Sequence, residues 1–140
     1  MARTIQEEKR RYTRIIFNEH NKVEAVVVLP GKQDPILQMP ASVLNMSEGG
    51  IQVSIERKKY QEMQQGGAVQ LASLTGIADL EPLMDIPAQV VWVMDNKYLG
   101  HILLGISFTL LSEKQRGILR FFIENRLALS MDKGGEETLN

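Results

Sequence analysis

Residues 36–55 read ILQMPASVLNMSEGGIQVSI, and the second half of this stretch decides the fold. Ile51, Val53 and Ile55 alternate with Gln52 and Ser54. That period of two puts apolar side chains on one face of a strand and leaves the other face wet. The run ending at Met46 and Ser47 reads as a preceding strand, and Glu48-Gly49-Gly50 interrupts the two as their connection.

Outward from this pair the same grammar repeats. KVEAVVVL (22–29) is β-branched and apolar and stops at Pro30-Gly31, with Asp34-Pro35 closing a turn. AVQLASLTGIADL (68–80) and IPAQVVWVM (86–94) are two more extended runs, and Asp95-Asn96-Lys97 is a turn into YLGHILLGISFTL (98–110). Short strands separated by turn signals predict an all-β-dominated antiparallel barrel or sandwich. No internal repeat or low-complexity segment breaks the series.

The one strong helix signal comes last. Ser112-Glu113-Lys114-Gln115 fits a capping box, and Leu119, Phe122, Ile123 and Leu127 recur at helical spacing, so one face of this helix should pack on the strands. Residues 131–140 are polar, Gly-containing and acidic, and are expected to fray.

Composition limits the chemistry. The chain of 140 residues, 44% hydrophobic, suffices for one domain with one core. It has no cysteine, which excludes disulfides, thiolate metal sites and cysteine nucleophiles. The charged, polar start and the lack of a window near the roughly 20 apolar residues that span a bilayer predict a soluble, cytoplasmic protein without membrane insertion. His20 and His101 are isolated, with no metal-ligand spacing, and neither a phosphate-binding Gly-Lys-Ser/Thr loop nor a Gly-x-Ser-x-Gly elbow occurs. We expect no enzyme activity, no metal and no cofactor. A net charge of −1 argues against binding nucleic acid polymers, and 6% aromatic residues against a single-strand-binding barrel, so any anion site is local.

Two constellations remain. In EKRRYTR (8–14), Arg10, Arg11 and Arg14 offer planar guanidinium forks that match phosphate oxygens or the Hoogsteen edge of guanine; alone, the stretch would read as a solvated basic arm. In NMSEGG (45–50), Asn45 and Ser47 can bond a ligand's polar edge and the glycines let backbone approach it. Alone, this is an ordinary connection in which glycine supplies a positive φ.

Taken together, Arg10 and Arg14 followed by Asn45, Ser47 and Gly50 resemble the paired Arg-x-x-x-Arg and Asp/Asn-x-Ser-x-x-Gly motifs of the PilZ domain family. Ala88, Val90 and Trp92, and the later Leu104-Gly105-Ile106-Ser107-Phe108, resemble the family's last strands, with a closing helix after them. The resemblance implies a six-stranded antiparallel β-barrel with a C-terminal α-helix: residues 1–14 as a flexible arm carrying the Arg motif, 15–130 as barrel and helix, and 131–140 as tail. It implies a bacterial receptor for cyclic di-GMP, a second messenger with two phosphates and two guanines. Arg10, Arg11 and Arg14 would grip the ligand from the arm, and Asn45, Ser47 and Gly50 would line the barrel side. Trp92 is either a stacking platform for guanine or a core residue. With no output domain read on this chain, ligand closure of the arm is expected to signal to a separate, unidentified downstream protein. The alternative is a PilZ adaptor that acts through protein contacts without the nucleotide.

Overall fold

The computed structural model describes residues 13–29, 37–57, 66–96 and 98–137. Among the described residues seven strands run in chain order: β1 (Ile15–Ile16), β2 (Val23–Leu29), β3 (Leu37–Met46), β4 (Gly50–Glu56), β5 (Ala68–Thr75), β6 (Ile86–Met94) and β7 (His101–Phe108). A 3-10 turn, Ala78–Leu80, lies between β5 and β6, and helix α1 (Glu113–Glu137) is the last described element. Every strand pairing is antiparallel. The order β1-β3-β2-β5-β6-β7-β4 closes on itself because β4 also pairs with β3. Strands β2 to β7 therefore form a closed six-stranded barrel, as anticipated, and β1 lies alongside the end of β3. Closure leaves no unpaired edge among the six.

The alternation read in residues 51–55 is the barrel's inside and outside. Ile51, Val53 and Ile55 are fully buried, whereas Gln52 and Ser54 are half-exposed. The same alternation buries Met39, Ala41 and Val43 from β3, Ile86, Ala88 and Val90 from β6, and Ile102, Leu104 and Ile106 from β7. These side chains fill the interior as one continuous core.

Three strands depart from strict alternation at a bulge. The register shifts between Val43 and Asn45 on β3, opposite Val26 and Val27 on β5, and between Val90 and Trp92 on β6. At each an extra residue, Leu44, Ala72 or Val91, stands between two paired ones. Bulges sharpen local twist, which a small closed barrel needs, and they reverse the side-chain phase of everything beyond them.

α1 begins where the sequence predicts. The Gln115 N–H donates to Ser112 Oγ at 3.0 Å while the Ser112 N–H donates to Gln115 Oε1 at 3.0 Å, a reciprocal capping box. Gln115 also donates through Nε2 to the Met84 carbonyl at 3.0 Å, tying the helix start to the connection before β6. Leu119, Phe122 and Ile123 are buried, with Leu80 and Leu83 of the turn region in the same core. The ring of Phe122 lies 6.3 Å from that of Phe17, so the helix also covers the segment just after β1. No helix among the described residues is long and apolar enough to cross a membrane.

Two boundaries differ from the sequence reading. The extended run expected over 68–80 stops at Thr75, because Gly76 takes φ +111° and turns the chain into the 3-10 turn. Helix α1 continues to Glu137 rather than ending near 130. Met131, Asp132 and Lys133 keep their amide donors, and the glycine pair weakens helical propensity without removing hydrogen bonds as proline would. The turn at Asn96 forms through donation from the Tyr98 and Leu99 N–H groups to its side-chain and backbone oxygens. Connections expected at Pro30-Gly31 and Asp34-Pro35 lie outside the described residues.

The packing makes a contrast on α1 measurable. Leu119→Ala should cost about 2–5 kcal/mol in chemical denaturation. Phe121→Ala, at a position 64% exposed, should stay within about 0.5 kcal/mol.

Candidate ligand-binding site

The bulges at Leu44 and Val91 decide what the outer wall presents. Val43 faces the core; with Leu44 inserted, Asn45 turns outward and pairs with Gln52 of β4. Val90 faces the core; with Val91 inserted, Trp92 turns outward and pairs with Gly105 of β7, and Val93 returns to the interior side. Since Gln52 pairs with Gly105, the outward positions Asn45, Gln52, Gly105 and Trp92 form one transverse row across β3, β4, β7 and β6. Trp92 is thus an outer-face residue, not a core one. Its neighbour Val93 packs on the core side, and Val91 is the exposed bulge residue.

The row is knitted by side chains. Arg14 Nη1 donates to Asn45 Oδ1 at 2.6 Å, and Asn45 Nδ2 donates to Gln52 Oε1 at 2.8 Å. The pyrrole side of the Trp92 indole lies over Gly105, where a Cβ would sit 2.1 Å from Nε1 and 2.3 Å from Cε2. Gly105 is the one residue type that lets the indole lie flat on this wall.

The turn from β3 to β4 borders the row. Ser47 is buried, at 1% exposure, and holds the turn: its N–H donates to the Gly50 carbonyl at 2.9 Å and its Oγ accepts from the Gly49 N–H at 3.1 Å. The β7 end is joined to it by donation from the Phe108 N–H to the Gly49 carbonyl at 2.9 Å. Neither Gly49 nor Gly50 has a positive φ. Gly50 is required by close approach instead, since a Cβ there would stand 2.0 Å from the Ile106 carbonyl oxygen. The glycine pair therefore acts differently from the positive-φ connection that residues 45–50 would suggest in isolation.

These elements enclose an open cleft of about 730 Å³, lined by Arg14, Ser47, Gly50, Gln52 and Trp92 and, from α1, Arg116. Glu48 also lines it and receives a hydrogen bond from Arg120 Nε at 2.9 Å, which together with the charge of Glu48 raises the pKa of that guanidinium. Arg14 shifts the other way: partial desolvation lowers its pKa, although an arginine stays protonated at any physiological pH. Among the described residues its bonded partner is the neutral Asn45 amide, and no carboxylate pairs with it. A partly desolvated cation on a neutral partner is held in place and left with unspent attraction for an anion.

The structure thus brings together Arg14, Asn45, Ser47, Gly50 and Trp92, while Arg10 and Arg11 lie outside the described residues. Gln52, Gly105, Glu48 and Arg116 also line the cleft, and motif reading misses them. Gln52 was visible as the polar member of the alternating strand, and a glycine inside a strand is itself a sign of close approach. Arg116 carries no local signal in the sequence. Among the described residues, no group of three or more His, Asp or Glu side chains is placed to hold a metal.

A sequence model of the PilZ domain matches residues 8–125, and the chain belongs to that family. The fold is similar to that of YcgR in complex with c-di-GMP from Escherichia coli, at 16% identity and a TM-score of 0.65 over 91% of this chain and 50% of that one. It is similar to the PilZ domain with c-di-GMP of the same YcgR, at 20% identity and a TM-score of 0.61 over 89% and 98% of the two chains. The K. pneumonia MrkH–c-di-GMP complex aligns at 10% identity and a TM-score of 0.68 over 88% and 54%. The chain spans about half the length of YcgR and of MrkH. No curated protein matches it in sequence.

The stacking of Trp92 on Gly105 is directly testable, because this is the protein's one tryptophan. Gly105→Ala should displace the indole, shift its fluorescence emission, and cost about 1–3 kcal/mol of stability. Unchanged emission and stability would mean that the ring does not rest on this wall.

Proposed function

We propose that the protein is a cyclic di-GMP receptor that binds the dinucleotide in the cleft between the Arg motif and the outer barrel wall and passes the signal to a separate partner protein. The observation that carries this reading is the Arg14–Asn45 hydrogen bond, which docks the end of the Arg motif onto the row that leads to Trp92. Family membership and the cyclic di-GMP complexes among the similar folds support it.

The chemistry of the ligand matches the wall. Each phosphate carries one negative charge and takes charge-assisted hydrogen bonds from guanidinium forks. Guanine presents O6 and N7 acceptors, which the same forks recognise bidentately. Arg10 precedes Arg14 by few enough residues that its Cα lies within about 14 Å of Arg14's even in a fully extended chain. Arg10 and Arg11 can therefore share a ligand with Arg14. The exposed face of the Trp92 indole is a sequence-tolerant surface for stacking one guanine, worth about 1–3 kcal/mol per stacked base. Ser47 and Gly50 act mainly by shaping the turn so that backbone approaches the ligand.

Signalling follows from what the ligand would bring together. Residues 1–14 carry the Arg motif, and their engagement by phosphate would rebuild the surface next to β1 and α1, which a cytoplasmic partner could then read.

Calorimetry with purified protein tests the reading. The wild type should bind cyclic di-GMP with micromolar or tighter affinity, and Arg10→Ala and Arg14→Ala should each weaken binding about tenfold or more, as expected for lost charge-assisted bonds at about 1.5–3 kcal/mol. Folded protein that gives no heat with the nucleotide, yet retains a partner equally well without it, would support the adaptor alternative instead.

A further inference from the structure

We infer that α1 is part of the binding site: Arg116 gives the cleft a ligand-contacting guanidinium beyond those of the Arg motif, and Arg120, one turn later, keeps the Glu48 carboxylate neutralised so that the cleft accepts a doubly anionic ligand. This rests on the cyclic di-GMP reading above and extends it to a helix that neither motif includes.

The arginines of the described residues are otherwise committed. Arg57 pairs with Asp95 at 2.7 Å and donates to the Leu99 carbonyl at 2.7 Å and to that of Asn96, fastening the β6–β7 turn. Arg126 lies over the Phe122 ring, 5.2 Å from its centre. Arg120 holds Glu48, and Arg14 holds Asn45. Arg116 stands apart: it lines the cleft, and among the described residues its guanidinium has no hydrogen-bond or ion-pair partner. Its backbone is fixed, since its N–H donates to the Ser112 carbonyl at 2.9 Å within the capped first turn. A guanidinium with no partner among the described residues, on an anchored backbone at the lip of a cleft, is available to an anion and loses only side-chain freedom on meeting one.

Arg120 acts indirectly. Glu48 sits in the ligand-facing turn and lines the same cleft, where an uncompensated carboxylate would repel each phosphate. Arg116 and Arg120 are four residues apart and so share one helix face. One cation on that face meets the ligand while the other cancels the only carboxylate among the described cleft-lining residues. Arg120 is accordingly a positioning and neutralising residue.

Calorimetric titration with cyclic di-GMP at several salt concentrations, with thermal melting as a check on folding, separates the possibilities. Arg116→Ala should weaken binding about tenfold and flatten the dependence of log Kd on log salt, with Arg116→Lys recovering part of the loss. Arg120→Ala should weaken binding several-fold, and Glu48→Gln in that background should restore it, a rescue that a purely structural ion pair would not give. Wild-type binding that Arg116→Ala leaves within twofold, or an Arg120→Ala loss that Glu48→Gln fails to rescue, overturns this inference alone. No binding by the wild type overturns the receptor reading and this one with it.

Discussion

Side-chain phase along a strand is rigid: once one residue faces the core, every second residue must follow, and the outer wall receives what is left. Here that rule is reset at Leu44 on β3 and at Val91 on β6. Without the first insertion Asn45 would take the place of a core side chain, and without the second Trp92 would point into a barrel already filled by Val90, Leu104 and Ile106. Both resets turn polar or aromatic residues outward at the same level of the barrel, so that Asn45, Gln52, Gly105 and Trp92 fall into register. The outward row exists because two strands slip phase at matching heights.

Charge is arranged around that row with the same economy. Arg14 is docked by a neutral amide, which fixes its position while leaving its charge uncancelled among the described residues. Glu48, which would work against an anion, is bonded by Arg120 from the helix. The helix is itself held by the Ser112–Gln115 capping box, by the Met84 carbonyl and by Leu119 and Phe122 in the core. Core packing at one end of the barrel is therefore continuous with the electrostatics at the cleft.

Much of this was legible in the sequence. Alternation in residues 51–55 and the capping box at Ser112 report local physics, period and hydrogen-bond geometry, and both appear in the structure as read. The pairing of the two motifs pointed to Arg14, Ser47 and Gly50, which line one cleft, and to Asn45, which bonds Arg14 beside it. What strict alternation could not show is a bulge, because an extra residue in a strand looks like any other until its partners are known. Hence the orientation of Trp92 stayed open between wall and core. The role of Gly50 was likewise hidden, since close approach to the Ile106 carbonyl depends on a strand far along the chain. Arg116 and Arg120 were unreadable for the same reason: nothing local to a helix tells which cleft its arginines will face.

The most direct test of the central claim, that the outer row and its bordering turn are the ligand site, is a residue-resolved NMR titration of labelled protein with cyclic di-GMP. The account predicts that shifts concentrate on the backbone amides of Ser47 to Gly50, the side-chain amides of Asn45 and Gln52, the Arg14 guanidinium and the Trp92 indole N–H. Shifts centred on another face of the barrel, with these signals unmoved at saturation, would contradict it.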